Sequence, residues 1–493
     1  MRIGARIGVQ ASAGADSAAG SNAVAAFWTA LAALVALALS APQALAQDAS
    51  SDTSSTRPAI LFNRWQEDWS ALADPTLRTE PLDNLKYIPL SSTDPQSYMS
   101  LGMNLRERFE SLNAPSFGVA GSRPPQNYLI QRLEIDADVH INANWRIFTQ
   151  LEDARAFWKT FLTPADQDRI DLEQAFVAYN TPLDGGDLKI RVGRQEMAFD
   201  LQRFVSARDG PNVRQAFDAV WANWEINSWR FITFWSEPVQ YKPDDPFDDY
   251  SNEHFQYGGF RVERQDVGPG ALSAYISRYD FDDAHYLFAL GPERRDVLDV
   301  RYAGSMAGFD WDLEAMGQGG SVGSKEVRAW AIGTLGGYTF ADLAWRPRIG
   351  LQFDAASGDS HPNSNVIGTF NPLFPNGYYL TLSGYEGYTN LIHLKPSITV
   401  KPTDKLKLMA AVGARWRETA ADAVYTIPDI PVAGTAGEGG LWTGLYQQVR
   451  ADYTFNPNMT GAIEAVHYDV GEAIHRVGGR DSDYLGIELK FGW

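Results

Sequence analysis

Tyr484-Leu485-Gly486-Ile487-Glu488-Leu489-Lys490-Phe491-Gly492-Trp493 closes the chain, and its period decides the fold. Every odd position is large and apolar, while the even positions carry Tyr, Gly, Glu, Lys and Gly. A strict period of two puts one face of a strand in an apolar medium and the other in a wet one, and here it runs to the last residue. A soluble edge strand is the alternative, and five such alternations ending at the final residue are unusual for one.

The same alternation recurs upstream. Leu101, Met103 and Leu105 alternate with Asn104, Arg106 and Arg108. Leu133, Ile135, Ala137 and Val139 alternate with Arg132, Glu134, Asp136 and Asp138. Leu406, Leu408, Ala410, Val412, Ala414 and Trp416 do so with Lys405, Lys407, Arg415 and Arg417. No soluble sandwich buries Glu134, Asp136 and Asp138 along one face, so that face is wet. A closed barrel is the β-architecture that spans a bilayer, because each backbone group finds its partner within the wall.

Short breaks fall at 142–144, 182–187, 226–228, 266–270, 304–308, 342–347, 402–405 and 456–458, and longer polar stretches lie between them. The longer ones are near 112–127, 158–168, 196–214, 238–254, 280–295, 318–325, 356–388, 418–440 and 470–482. Eight short turns and nine long loops predict an all-β transmembrane antiparallel barrel of about 18 strands over 96–493, with an aqueous lumen. An even count leaves both termini on the periplasmic side with the short turns. Segments 169–180, 214–226 and 325–341 alternate poorly.

Composition fits this reading. The chain has 493 residues, 42 Lys plus Arg against 61 Asp plus Glu, a net charge of −19 and no cysteine. Acidity disfavours nucleic acid as a partner, and the missing thiols exclude disulfides, thiol nucleophiles and Cys-ligated metals. The one long apolar run, Ala23 to Ala41, follows Arg2 and Arg6 and precedes Ala44-Leu45-Ala46, as in a secretory signal peptide over 1–46. A membrane anchor is the other reading. Residues 47–57 read as a disordered N-terminus. Residues 58–95, with Trp65, Trp69 and Tyr87, are too apolar for a free tail and read as a periplasmic or lumen-plugging segment. Aromatics make 12% of the chain; Trp145, Tyr179, Trp229, Trp235, Trp345, Trp416, Trp442, Tyr453, Phe455 and Trp493 are expected near strand ends, as interfacial girdles.

Gly319-Gly320-Ser321-Val322-Gly323 matches G-x-S-x-G, but as a Gly/Ser loop between strands rather than the strand-to-helix turn a nucleophile requires. The histidines at 140, 254, 285, 361, 393, 467 and 475 show no metal-ligand spacing. No catalytic constellation, metal site or cofactor is expected, and the chain reads as a non-enzyme.

Four segments carry a resemblance. Phe62-Asn63-Arg64-Trp65-Gln66-Glu67-Asp68-Trp69-Ser70 is followed by Leu85–Leu90 and Leu105-Arg106-Glu107-Arg108-Phe109-Glu110. Val192-Gly193-Arg194-Gln195-Glu196-Met197 leads to Phe217-Asp218-Ala219-Val220. Ala356–Ser360 precedes Phe370-Asn371-Pro372-Leu373-Phe374-Pro375 and Thr389-Asn390-Leu391, and the C-terminal strand is the last. From residue 62 onward the sequence resembles the alginate export family of outer-membrane barrels. The resemblance implies a monomeric 18-stranded barrel in the cell outer membrane of a Gram-negative bacterium, through which an anionic polysaccharide diffuses outward. Outer-membrane lipid and periplasmic polysaccharide-secretion proteins are the implied partners. The alternative is an uptake porin for sugars or organic acids.

A polyuronate needs cations at a constriction, preferably arginine, whose fork donates two hydrogen bonds to a carboxylate. Strand parity puts Arg106, Arg108, Arg132, Arg146, Lys189, Arg191, Arg415, Arg417 and Arg450 on the wet face. Arg194 sits in the Gly-Arg-Gln block, and Arg203, Arg208 and Arg214 follow in a loop long enough to fold inward. The lumen candidates are Arg106, Arg108, Arg132, Arg146, Arg191, Arg194, Arg203, Arg415 and Arg450. Glu110, Glu134, Asp136, Asp138, Glu152, Asp452 and Glu464 share the wet face, so an Arg–carboxylate ladder that stiffens the wall is the competing expectation. The remaining acid is expected mostly on loops, as at Pro243-Asp244-Asp245-Pro246-Phe247-Asp248-Asp249-Tyr250, which would repel an emerging polyanion, bind divalent cations or stay solvated. The stretch 356–388 is long enough for a lid or constriction, with Asn371–Pro375 as a fixed apolar anchor.

Overall fold

A computed structural model describes residues 57–119, 124–385, 387–427 and 429–493. The signal-peptide reading of 1–46 and most of the 47–57 stretch lie outside the described residues.

Eighteen strands follow one another: β1 Tyr98–Leu112, β2 Gln126–His140, β3 Trp145–Phe157, β4 Asp168–Leu183, β5 Gly186–Glu196 and β6 Ala216–Ile226. Then come β7 Trp229–Gln240, β8 Phe255–Val267, β9 Gly270–His285, β10 Leu290–Met306, β11 Phe309–Val322 and β12 Lys325–Thr339. The last six are β13 Arg348–Ala356, β14 Leu391–Thr403, β15 Leu406–Trp416, β16 Trp442–Asn456, β17 Met459–Val470 and β18 Ser482–Gly492. Each pairs antiparallel with its chain neighbours, and β18 returns to β1 in register from Asn104↔Gly492 to Leu112↔Tyr484, closing the barrel. The seam extends to the final residue, since Trp493 N donates to Met103 O and Met103 N to Trp493 O, both at 2.8 Å.

Burial is inverted relative to a water-soluble sandwich. On β2, Arg132 and Asp136 are 3% and 4% exposed, whereas the intervening Ile135 is 47% exposed. Val192, Val220, Ile276, Leu298, Ile349 and Ile487 join Ile135 on the outer wall. That apolar belt belongs in hydrocarbon.

All eight short breaks are connections at one end of the barrel, seven of them of two to four residues and the eighth, 340–347, of eight, and this end also holds the N-terminus of β1 and the C-terminus of β18. Asp184-Gly185 turns β4 into β5 with φ of 49° and 83°, and Ala307-Gly308 turns β10 into β11 with 51° and 87°; both dihedral pairs match the right-handed twist of the flanking strands. The poorly alternating segments are β4, β6 and β12, so the strand count stands at 18.

Two expected long loops are short. The 318–325 stretch is a two-residue turn at Gly323-Ser324, with Gly319, Gly320, Ser321 and Val322 paired inside β11 against both β10 and β12. The G-x-S-x-G match therefore lies in a strand and its hairpin, because pairing on both sides overrides glycine's weak strand propensity. The 280–295 stretch shrinks to 286–289 between β9 and β10.

The girdle aromatics divide into contacts along the wall. Trp145 packs on Tyr179 at 4.6 Å, Tyr453 on Phe455 at 4.9 Å, and Trp416 on Trp442 at 5.0 Å. A second aromatic population, including Phe217, Tyr257, Tyr275, Tyr279, Phe374 and Tyr388, is buried inside the barrel.

Residues 57–95 form short 3-10 turns, a helical turn at Asp83–Lys86 and a two-residue pairing of Ile88-Pro89 with β1. Arg64 donates to the Trp493 carbonyl and pairs with Asp136, Trp69 is wholly buried, and Lys86 lies over the Trp69 and Trp493 rings. Burial first, then the nearby Arg64 charge, pulls the Lys86 ammonium down to about 8.

A cation on the outer belt loses its hydration with no counter-ion in reach. Val220→Arg on β6 is expected to cost about 2–4 kcal/mol in urea unfolding from lipid vesicles, against less than about 1.5 kcal/mol for Val220→Ile. Equal stability of the two variants would contradict a lipid-facing position.

Candidate functional site

Two loops enter the barrel and join each other inside it. The β5–β6 loop, 197–215, meets the β13–β14 loop, 357–390, through Phe374 N to Phe204 O at 2.7 Å, Asn376 N to Gln202 O at 3.1 Å and Ser206 Oγ to Phe374 O at 2.9 Å. A buried loop needs such partners, because its backbone has left water without a ladder to replace it. The Phe374 ring meets Phe217 edge-on at 4.9 Å and packs near Phe255 and Tyr257 at 5.6 and 5.4 Å. Gln318 of β11 both donates to Asn371 O at 2.7 Å and accepts from Asn371 N at 3.1 Å. The Asn371-Pro372-Leu373-Phe374-Pro375 block is thus an apolar anchor inside the lumen.

The charge centre is Asp209 in the first of these loops. Arg132 of β2 pairs with its carboxylate, Lys490 of β18 lies 3.2 Å from Oδ2, and Arg106 of β1 is 3.7 Å from Oδ1 while donating to the Asp209 carbonyl. Burial would raise the Asp209 carboxyl, but Lys490, Arg132 and Arg106 outweigh it and hold it well below the usual carboxylate range. The turn is pinned on either side. Arg106 donates to Pro211 O at 2.8 Å, Arg108 to Gly210 O at 2.6 Å, and Asn212 Nδ2 to the Gln131, Arg155 and Asp166 carbonyls at 3.0, 3.0 and 2.9 Å. Arg214 reaches Glu134 and Glu196 at 3.0 and 2.5 Å, with its guanidinium over the Phe62 ring.

This turn stands between two cavities. One, of 220 Å³, opens toward residues 60–62 and is lined by Arg106, Arg132, Glu134, Arg214 and Lys490. The other, of 430 Å³, lies on the long-loop side and is lined by Arg108, Glu110, Tyr128, Lys159, Arg208 and Tyr385. Asp209 borders the first and Gly210, Pro211 and Asn212 border the second, so the 209–212 turn lies against both. A carboxylate held by three cations, with one cavity beside it and a second beside the residues that follow, could serve as a latch between them.

The structure brings Arg106, Arg108 and Arg132 together and spreads the other candidates. Arg146 pairs with Asp138 and donates to Glu67 O near the short-turn end. Arg191 pairs with no carboxylate among the described residues; it lies between Trp65 and Trp221 at 4.0 and 4.4 Å, against a 280 Å³ cavity. Arg194 is taken up by Asp218 at 3.1 Å and Leu172 O at 3.2 Å. Arg203 pairs with Asp312 and Glu314 of β11 and donates to Tyr379 Oη at 2.6 Å, lying in a notch where a Cβ on Gly333 would come within 2.5 Å of it. Arg415 donates to the carbonyls of Tyr385, Gly387 and Tyr425, and Arg417 likewise to loop carbonyls, so both hold loops. Arg450 pairs with Asp452 and Glu464 at 2.8 and 3.0 Å.

The expected separation of acid on loops from arginine in the lumen does not hold. Besides Glu134, Asp136, Asp138 and Glu152, which parity already placed inside, Glu196 and Glu314 are buried on the inner face beside the arginines, since cations this deeply buried need counter-ions. Asp209, Asn212 and Lys490 were not among the candidates, and only the two loop residues escape a parity reading. Lys490 carries a visible signal in its place on the wet side of the C-terminal strand, whereas Asp209 lies in a loop, where strand parity ends.

A model of the alginate export family matches residues 97–488. No curated protein sequence matches the chain significantly. Among solved structures, OccK2 (OpdF) of Pseudomonas aeruginosa in complex with glucuronate is 11% identical with a TM-score of 0.51, covering 80% of this chain and 96% of that one. OccD3 (OpdP) of the same organism is 9% identical, TM-score 0.53, covering 83% and 93%. OpdK of Pseudomonas aeruginosa with vanillate is 10% identical, TM-score 0.51, covering 80% and 98%. At such identities the likeness is one of fold.

Removing one partner of a buried ion cluster costs about 3–5 kcal/mol. Asp209→Ala is expected to raise single-channel conductance and to expose 197–215 to protease. The sign with pH follows from the depressed carboxyl: its stabilising share is full above the ordinary carboxylate value of about 4 and is lost only as pH falls through the lower, folded value. Wild-type conductance through this latch should therefore stay level between about pH 8 and about pH 5. A wild-type opening within that window, or an unchanged Asp209→Ala channel, would contradict the latch.

Proposed function

The chain belongs to the alginate export family, and from that premise we propose that its lumen lets an anionic polysaccharide, a polyuronate such as alginate, leave the cell by diffusion. The protein is a channel of the Gram-negative outer membrane, and its family and fold are those of channels rather than enzymes. The observation that carries the proposal is Asp209, a carboxylate of the chain itself bound by Arg106, Arg132 and Lys490 on a turn that borders two cavities. A uronate presents the same group. An arriving carboxylate takes over these cations, the 209–212 turn gives way, and the released Asp209 can reclaim them behind the departing sugar. Exchange between two similar anions keeps the step near balance, which a polymer needs in order to keep moving. Nothing in this path requires a second copy, so the channel acts as a monomer, receiving polymer from periplasmic polysaccharide-secretion proteins.

A second reading has its own support. The cavities of 220 and 430 Å³ are of single-sugar size, and OccK2 holds glucuronate. An uptake channel for small carboxylates would use the same cations in the inward direction.

Planar-bilayer recordings test both. Oligouronates should block the current where neutral oligosaccharides of equal length do not. A hydrogen bond to a charged group contributes about 1.5–3 kcal/mol, so Arg132→Ala or Arg106→Ala should weaken the block about tenfold to a hundredfold. Export predicts block that strengthens with oligomer length. Block by glucuronate equal to that by longer chains favours uptake, and no block by any uronate defeats the cation-path proposal altogether.

A further inference from the structure

The β7–β8 loop, 241–254, carries Asp244, Asp245, Asp248 and Asp249 and is docked on the long-loop end of β4. Two bonds hold it there: Phe247 N donates to Ile170 O and Asp249 N to Asp171 Oδ2, both at 3.2 Å. Asp171 spends its other oxygen on Leu172 N at 2.7 Å, so its task is to seat the loop. The result is that Asp168 from the strand and Asp248 and Asp249 from the loop bring one carboxylate oxygen each within 4.8 Å of one another.

Like charges assembled this closely need a partner. Among the described residues none of Asp168, Asp171, Asp248 and Asp249 forms an ion pair with Lys or Arg. Asp168 is 4% exposed, and its Oδ1 is buried at the cluster with no hydrogen-bond partner; Asp248 Oδ1 is buried and unpartnered as well. These two oxygens come from opposite sides of the loop–strand junction. The other three-carboxylate group in the barrel, Asp200, Asp299 and Glu314, differs sharply: Arg203, Arg261 and Arg301 pair with its members. The lumen cluster carries its own cations, and the mouth cluster does not.

We propose that the junction of β4 with the 241–254 loop is a binding site for a hard divalent cation, Ca²⁺, held by Asp168, Asp248 and Asp249. Ca²⁺ takes six to eight oxygens at about 2.3–2.6 Å, so oxygens around one ion lie up to about 5 Å apart, a limit the three carboxylates meet by lying within 4.8 Å of one another. Carboxylates alone, with no histidine or sulfur, select a hard ion over a transition metal. Mg²⁺ demands a tighter octahedron and keeps its waters, so it should bind more weakly. The bound ion would tie the loop to the barrel rim, and the proposal is independent of what passes through the lumen.

The full barrel, purified in detergent and stripped with a chelator, is titrated with Ca²⁺ by calorimetry at physiological ionic strength. One ion per chain is expected, with a dissociation constant of about 10⁻⁴–10⁻³ M, as for extracellular sites. Asp168→Asn, and separately the Asp248→Asn/Asp249→Asn pair, should each weaken binding tenfold or more. Ca²⁺ should also slow proteolysis within 241–254 in the wild type and not in the paired variant. The loop pair lies outside the barrel wall, so it decides the matter even if Asp168→Asn does not fold. No binding by the folded barrel up to about 10 mM, or binding that the paired variant leaves unchanged, overturns the site.

Discussion

Hydrocarbon offers a peptide group nothing to bond to, and the rest of this molecule follows from that. A sheet in lipid can have no free edge. The chain meets the condition by returning β18 to β1, a pairing made across nearly its whole length and fastened at Trp493 by a reciprocal pair of bonds with Met103. An even strand number, both barrel termini at one end, and the alternation of apolar and charged residues go with closure. The period of two in the last ten residues is therefore a record of the seam as well as of one strand.

Closure creates the second problem, an interior with many ionisable groups and limited water. Arg132, Arg214, Arg203 and Arg261 are buried, and each lies against carboxylates. Burying an ion pair gives little net stability, because desolvation offsets most of the attraction, while leaving one member alone is costly. Under the proposed exchange a neutral solute would bring nothing to trade, whereas an anion would replace a carboxylate already in place. Arg191 meets the same demand in another way, with the indole faces of Trp65 and Trp221 in place of a counter-ion.

What could be read from the sequence was what obeys a period. The 18 strands, the eight short connections and the inward direction of Arg106, Arg108 and Arg132 all follow from alternation and turn residues, even where β4, β6 and β12 alternate weakly. Residues governed by tertiary contact were less legible. Gly319–Val322 read as loop because glycine and serine avoid isolated strands, yet neighbours on both sides draw them into β11. Arg194, Arg415 and Arg417 looked like pore cations, but Asp218 and loop carbonyls claim them. Asp209 carries no local mark at all: its importance comes from three strands, distant in sequence, converging on one loop. The interior aromatics around Phe374 were likewise hidden, since a loop that folds inward has no periodicity to announce it.

The hydrogen bonds between the 197–215 and 357–390 loops have a mechanical consequence. Phe204, Ser206 and Gln202 on one loop are fastened to Phe374 and Asn376 on the other, and Phe374 is seated among wall aromatics. Two segments tied in this way are one body with four attachment points on the barrel. Neither can swing aside alone without breaking the bonds that replace its lost water. Any wider clearance of the lumen, beyond a local yielding of the 209–212 turn, would have to move both loops together, and current through it would arrive in discrete steps.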